Sequence, residues 1–558
     1  MRAKRMKRGL WQAIGLIMLL SLVIVGCSKA EEKEAQPSSQ PSSTSSTATQ
    51  PADPEKKEEI SVSIYDRGNI PAEEGTPVKN RWTEWINENA PVKVNFVAVP
   101  RWEEDQKYNT LLASGDVPDL IFNWSPHLRS RLYSQNLLLP LDELIDQHST
   151  EYKKVLDSYP AMKTLGTRDD GKLYQLGGVG RMEPSVAMWI RADWLKKLEL
   201  EVPTTTEELF DVMKAFVERD PDGNNVKDTY GFHLSFIGGK LVENMFGSDN
   251  GIGWYLEDGQ YIHDWERSAA AADCKKRMYD AGLIDKDYLT DQNGEKAQQD
   301  FVNGKLGIFG ALGVAQARGF QVYEALKSND PSAEIIAIEL PRSEFGQFSA
   351  EVEPPYFVSA VIYSQTKKSE AVMKYIDFLL QESTQRTLKY GIEGEHWKAD
   401  ENGCPVPIDA EKNAKELSWN FDLSMLSQPI SEGICNDFVA SQLDPNKPLE
   451  KEYIDIVNQA REAYISAERP FAVDIDLSTT AELPQDLMVN KEMALKAAQD
   501  VFVKAIVGGT AYPIDKALSD AKALWEKGGG LEVDEATAEW YSRNKNNILL
   551  TKDYYINN

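Results

Sequence analysis

Between Ile60 and Val99 the apolar residues change period twice, and that change constrains the fold more than any other stretch. Ile60-Ser-Val-Ser-Ile64 alternates, as one face of a strand requires. A helical pattern around Asn80–Asn89 follows, and Val92–Val99 reads as a second strand. A β-α-β opening of this kind builds a parallel sheet in an α/β lobe. A helix near Glu103–Ala113 is predicted to stop at Ser114-Gly115-Asp116, where glycine suits the cap. Pro118–Phe122 then reads as a short buried strand that delivers Asn123, Trp124 and Ser125 to its carboxyl end. Open α/β sheets hold ligands just beyond such ends.

Downstream, Met188–Ile190 reads as a strand and Asp193–Leu198 as the start of a short helix. Pro203 with Thr204/Thr205 and Glu207/Glu208 forms a capping-box pattern, and Leu209, Met213 and Phe216 give the next helix its apolar face. Helices then alternate with short strands at Gly307–Gly310, Glu334–Glu339 and Tyr356–Ile362, and from about Glu370 the rest reads as mainly helical. There is no internal repeat. The chain of 558 residues is too long for one ordinary core, so two lobes or more are expected.

The amino terminus is organised differently. Arg2, Lys4, Arg5, Lys7 and Arg8 precede an apolar run from Gly9 to Gly26, which stops at Cys27. This is the layout of a secretory leader. An uncleaved membrane anchor is the alternative, since the run approaches the ~18 residues at which a spanning helix is conceivable. Ile24-Val-Gly-Cys27 resembles the lipobox of bacterial lipoproteins, in which the cysteine is lipidated and becomes the new amino terminus. Residues 28–59 are rich in Ser, Thr, Gln, Pro and charge, with no large apolar side chain before residue 60. They read as a disordered tether. A surface protein of a Gram-positive cell fits that arrangement best.

The formal charge of −27 becomes more negative once the five leader cations are removed. Nucleic-acid binding is excluded on that balance. An anionic polymer is disfavoured as ligand unless a local basic patch or a bound cation intervenes. Beyond Cys27 only Cys274, Cys404 and Cys435 remain. Cys274 reads as a small buried hydrophobe; Cys404 and Cys435 are able to pair, but no disulfide framework is indicated.

Several ordered segments together resemble the extracellular solute-binding lipoproteins of carbohydrate ABC importers, in the group related to the alginate-oligosaccharide binding proteins. They are Leu111-Leu-Ala-Ser-Gly-Asp-Val-Pro-Asp119, Ile190-Arg-Ala-Asp-Trp-Leu195, Pro203-Thr-Thr-Thr, and Asp220-Pro-Asp-Gly-Asn-Asn-Val-Lys-Asp228. Met278-Tyr-Asp-Ala-Gly-Leu-Ile284, Gly304-Lys-Leu-Gly-Ile-Phe309 and Gly391-Ile-Glu-Gly-Glu-His-Trp397 complete the set. The resemblance implies a two-lobed α/β, periplasmic-binding-protein-like fold with the ligand between the lobes. It also implies a permease and an ATPase as partners. On this reading residues 1–26 are the leader, 27–59 the lipidated cysteine and tether, and 60–185 the first part of the amino-terminal lobe. Residues 186–365 are mainly the second lobe with its crossover, and 366–558 a helical continuation returning between the lobes. The protein is expected to be a monomer.

Asp220, Asp222, Asn224, Val226 and Asp228 have the 1, 3, 5, 7, 9 spacing of a calcium loop, Val226 contributing its carbonyl. Gly231 stands where an EF-hand needs a bidentate glutamate, so the loop is not an EF-hand. The related alginate-binding proteins place an acid directly after the last Asp, where this chain has Thr229. An acidic Asp/Asn/Gly turn without metal is the alternative.

Sugars stack their C–H faces on aromatic rings, and the chain has 13 Trp, although a core role is the commoner one for tryptophan. Trp124, beside Asn123, is expected at a cleft wall. Trp254 and Tyr255 lie in a Gly-flanked loop, and Trp397 shares another Gly-broken loop with Glu393 and His396. Trp189 is assigned to cleft or core equally, and Trp194 to the core. No HExxH, GxSxG, Walker or dinucleotide-binding pattern is present among the five-histidine complement. A non-enzymatic binding protein is therefore expected. The rivals are a surface glycoside hydrolase, whose two acids need only meet in space, and a peptide-binding or adhesin lipoprotein using the same cleft.

Overall fold

The computed structural model describes residues 57–555 apart from 249–251, 402, 427–434, 436, 438, 440–441, 477–478, 480 and 482. The leader, Cys27 and the tether up to residue 56 lie outside the described residues.

Two sheets organise two lobes. In the first, the strands run in the order Lys93–Pro100, Glu59–Asp66, Leu120–Phe122, Tyr356–Ile362, Gln175–Val179. The first three are parallel, and Tyr356–Ile362 is antiparallel to both its neighbours. The helix Arg81–Asn89 supplies the β-α-β crossover. Asn80 starts it by accepting the N–H groups of Trp82 and Thr83 at 3.0 Å each, and Trp82 and Ile86 are buried beneath it. The helix Glu104–Ser114 stops at Gly115, which takes the left-handed cap with φ 78°.

The second sheet holds Ile335–Ile338, Val186–Arg191 and Ile308–Leu312, all antiparallel, with Val186–Arg191 in the middle. All six residues of that central strand are buried. The helix Thr206–Glu218 packs nearby; its Thr205–Glu208 capping box is formed as expected.

Two segments carry the chain between lobes. Residues 180–185 lead from Gln175–Val179 to Val186–Arg191, and residues 339–355 return from Ile335–Ile338 to Tyr356–Ile362. They cross side by side, Glu183–Pro184 pairing antiparallel with Val352–Glu353. Arg461, on the helix Pro448–Tyr464, clamps this hinge. Its guanidinium donates to both oxygens of Glu183 at 2.8 and 2.9 Å and to Asp437 at 2.9 Å. The forked geometry of guanidinium suits two carboxylates at once.

The later helices divide between the lobes. Ser369–Leu380 and Ala410–Glu416 return to the first lobe, where the Trp82 indole donates to the Glu416 carbonyl at 2.6 Å. Pro448–Tyr464 lies on the second sheet, its Tyr464 hydroxyl accepting the Met188 N–H at 3.0 Å. Gln485–Val507, Ile514–Lys527 and Gly530–Asn544 form a helical bundle against a hairpin, Trp254–Glu257 with Gln260–His263. The Gly-flanked loop expected around Trp254 is this hairpin. Cys404 and Cys435 are bridged, their Cα atoms 5.1 Å apart, and Cys274 is buried with its thiol pushed up to about 12 by desolvation.

Candidate ligand cleft

The hinge has an aromatic wall on one side and a cavity on the other. On the first lobe, Trp124 follows Leu120–Phe122, half-buried. Its ring lies 5.5 Å from Phe357 and 6.3 Å from Phe421, which is 62% exposed. Phe357 stands a few residues beyond the hinge strand Val352–Glu353. The other parallel strands end here too. Asp66 is followed by Arg67, held by Asp422 at 2.6 and 2.9 Å, and Pro100 by Arg101 and Trp102, which is 82% exposed. The strand-end rule that selects Trp124 applies equally to Arg67 and Trp102, which the sequence reading passed over.

Asn123 supports this wall from beneath instead of facing a ligand. It is fully buried, donating to Glu104 at 2.8 Å and to Tyr65 at 3.1 Å while accepting the Ser125 N–H at 2.6 Å. The Asn123 carbonyl accepts from Arg129, whose buried guanidinium is pushed down to about 9 by desolvation.

On the second lobe a cavity of about 850 Å³ opens beside the crossing segments. That volume lies in the range of small-ligand sites. Ser185 and Glu351 of the hinge line it, with Val186 and Leu312 at one end of the second sheet. Lys496, Gln499 and Val503, on one face of the helix Gln485–Val507, form another wall. One turn earlier on that helix, Glu492 meets His127 of the first lobe at 2.7 Å. His127 stands three residues after Trp124, so this contact joins the first lobe, near the wall, to the helix that lines the cavity.

Phe236 is half exposed at the cavity rim and holds φ 46°, ψ −113°. A bulky residue with positive φ stores strain, and such strain gathers at ligand clamps. Its setting explains the conformation. The next helix starts at Ile237, and a Cβ at Gly238 would lie 2.2 Å from the His233 carbonyl oxygen, so only glycine lets the chain turn there. His233 is buried and anchors the turn, its Nε2 accepting the Gly310 N–H at 2.9 Å and its Nδ1 lying 3.2 Å from the Ser235 hydroxyl. No sequence signal marks Phe236, because its positive φ follows from the close approach of Gly238 to the His233 carbonyl and not from a turn-forming residue at 236 itself.

Burial pushes the His233 imidazole down to about 4. An unfolded imidazole titrates near ~6.5, so below that pH the unfolded chain binds more protons than the folded one. Stability is therefore expected to fall as pH drops from 6.5 towards 4, by about 2 kcal/mol between pH 7 and 5 for this group. Urea unfolding at both pH values checks this, and His233→Gln should flatten the difference.

The other sequence-selected aromatics do not face the cleft. Trp189 is fully buried among Phe301, Phe309 and Tyr453, with ring centroids 6.1 to 6.3 Å away, and is core. Trp194 is core as expected. Trp254 stacks on His263 at 4.4 Å and 8°, with Trp525 edge-on and Lys491 over the ring at 4.6 Å, so it is engaged within the hairpin–bundle contact. Arg267 covers the Tyr255 ring at 3.7 Å. Trp397 is buried, its indole donating to the Gly391 carbonyl at 2.9 Å. His396 is buried too, while Ile392, Glu393, Gly394 and Glu395 of that loop are exposed. The loop's polar groups close it on the first lobe.

Among the described residues Glu395, His396 and Glu416 approach closely enough to suggest a metal centre. His396 Nδ1 accepts the Ile392 N–H at 3.1 Å, which leaves the ring proton on Nε2, directed at Glu416 3.0 Å away. Arg81 holds Glu416 and Lys412 holds Glu395. The group is an ion-pair clasp with no free imidazole lone pair for a cation.

The loop after Thr206–Glu218 is built differently. Asp220, Gly223 and Asn225 all take positive φ, folding the chain tightly. Asn224 donates its amide to Asp222 at 2.6 Å and to Asp228 at 3.1 Å, and its Oδ1 accepts the Val226 N–H. Burial, then the neighbouring carboxylates Asp220 and Asp228, raise the Asp222 carboxyl above its ordinary range. Crowded acids of this kind suit a hard cation. Thr229 does not join them: its hydroxyl is buried and donates to the Phe216 carbonyl at 2.8 Å.

Comparison with known proteins gives the fold a context. Residues 72–386 match the family described as bacterial extracellular solute-binding protein. Lipoprotein LipO of Bacillus subtilis is 26% identical over 477 residues, 81% of this chain and 87% of its own length. The structure of alginate-binding protein AlgQ2 without calcium ion superposes with a TM-score of 0.63 at 20% identity, covering 88% of this chain and 98% of that one. The Streptococcus pneumoniae ABC-transporter substrate-binding protein FusA in complex with kestose gives 0.63 at 19% identity, covering 88% and 100%. These structures share the two-lobed fold.

Proposed function

We propose, from membership of the bacterial extracellular solute-binding protein family, to which this chain belongs, that it captures an oligosaccharide between its lobes for an ABC importer. The observation that carries this reading is the cavity beside the hinge, rimmed by the strained Phe236, with the Trp124–Phe421 wall on the other lobe. Exposed rings on opposite sides of a hinge can take the two C–H faces of a sugar. The hinge lets the lobes close over it, and a membrane permease then receives the ligand. Lipidation at Cys27 with residues 28–59 as tether would keep the body beside that permease at the cell surface.

A hydrolytic role fits less well. The acids lining the cavity, Glu243, Glu351 and Asp500, are each engaged by a lysine, so none is presented as a free acid–base pair. Thermal-shift and product analysis with a panel of oligosaccharides and peptides tests the reading. At least one oligosaccharide is expected to raise the melting temperature without new reducing ends; cleavage, or stabilisation by peptides alone, would refute it.

Calcium completes the proposal. Asp220, Asp222, Asn224, Asp228 and the Val226 carbonyl would hold the ion, which would neutralise the crowded carboxylates and pin the turn. Ligands that bind only the folded state stabilise by about 2.7 kcal/mol at 100 times Kd. Excess chelator is therefore expected to lower the melting temperature by a few degrees, and calcium to restore it. Asp222→Asn should abolish the response, whereas an unchanged melting temperature would remove calcium from the loop.

A further inference from the structure

We propose that the cavity selects uncharged glycans and rejects chains of uronic acids. The inference rests on the capture reading above and concerns which saccharide that site accepts.

Every lysine lining the cavity is matched by an acid that also lines it. Lys240 is bound by Glu351, Lys275 by Glu243 at 2.5 Å, and Lys496 by Asp500. Lys275 and Glu243 are largely withdrawn from solvent, with side chains 12% and 18% exposed. An anionic ligand drawing Lys275 away would leave Glu243 unpaired where it is poorly hydrated, a costly exchange. The Lys496–Asp500 pair is largely solvated, at 71% and 59% exposed, and offers an anion only a screened contact.

The hinge side adds to the penalty. Glu353, beside Glu183 and Glu351, has its carboxyl raised by burial and by those neighbours. Glu183 and Glu351 are paired with Arg461 and Lys240, so this edge offers an anion no spare cation, within a chain of formal charge −27. The adjoining crevice, which shares Phe236 and Leu312 with the cavity, contains Arg318. It is exposed and, among the described residues, makes no ion pair. One solvated cation meets one carboxylate weakly and leaves the rest of a polyuronate unmatched.

Neutral hydroxyls meet the same groups favourably. A lysine ammonium has three donors and a carboxylate about four acceptor positions, so each pair retains capacity for both ends of an O–H group. Phe236 then supplies the apolar face. Paired charges read a polyol without needing a charge in return.

Calorimetric titration of the full chain tests this with tetrasaccharides: neutral malto-, manno-, galacto- and fructo-oligosaccharides against tetragalacturonate and tetramannuronate. In 20 mM buffer the best neutral ligand is expected to bind at least tenfold tighter than either uronate, with little change in 0.3 M NaCl. Glu243→Gln, which releases Lys275, should shift the ratio towards uronate at least threefold at low salt, and the shift should vanish at high salt. A uronate binding within tenfold of the best neutral sugar, or a Glu243→Gln ratio that does not move, overturns the inference and leaves capture standing. If no saccharide of either class binds, capture itself fails and the inference with it.

Discussion

Replacing Phe236 by glycine is expected to weaken saccharide binding about 10- to 100-fold while leaving the melting temperature unchanged or raised. Loss of an aromatic anchor at a binding site removes about 1.4 to 2.7 kcal/mol, which is that range of affinity. Stability should move the other way. The positive φ of Phe236 costs the folded chain about 1–3 kcal/mol, and glycine adopts it freely. Glycine's greater freedom in the unfolded chain offsets about 0.5–1 kcal/mol of that gain. Phe236→Ala provides the contrast: it removes the ring but keeps a Cβ, so affinity should fall without the same gain in stability. Calorimetric affinity and melting temperature, measured on both variants, separate the two effects. Unchanged affinity in both would move the aromatic contact away from this rim.

Trp189→Ala is expected to act in the opposite sense, costing about 3–5 kcal/mol of folding stability through the cavity it leaves. The side chain fills the space between Phe301, Phe309 and Tyr453 on the central strand of the second sheet, where no solvent reaches it. Its indole nitrogen is buried without a hydrogen-bond partner. Trp189→Phe should therefore cost much less than alanine, because it also removes an unpaired donor. Denaturant unfolding measures both changes. A loss of affinity at wild-type stability would return Trp189 to the cleft.

Local signals were read successfully where local chemistry decides the outcome. The Thr205–Glu208 box, the Gly115 cap and the strand ending at Phe122 depend on neighbours a few residues away, and each is present. The aromatic contacts depend on the whole fold. The place of Trp124 beyond the carboxyl end of a strand is legible because strand ends have a fixed position in a parallel sheet. Trp397 and His396 looked like ligand groups because glycine breaks their loop, yet the helices Arg81–Asn89 and Ala410–Glu416 close over it. Thr229 carries a suitable oxygen that its backbone turns inward. Phe236 had no signal at all, since its conformation follows from the fit of His233 beneath Gly238.

The bridge between Cys404 and Cys435 spans the segment that contributes Phe421 and Asp422 to the first-lobe wall. A nascent chain in a reducing cytosol carries that segment with both ends loose, and thiols there stay unpaired. The bridge therefore ties together the two ends of a segment of the wall, so a reduced chain is expected to hold Phe421 and Asp422 less firmly, and a reductant to weaken saccharide binding more than it lowers overall stability.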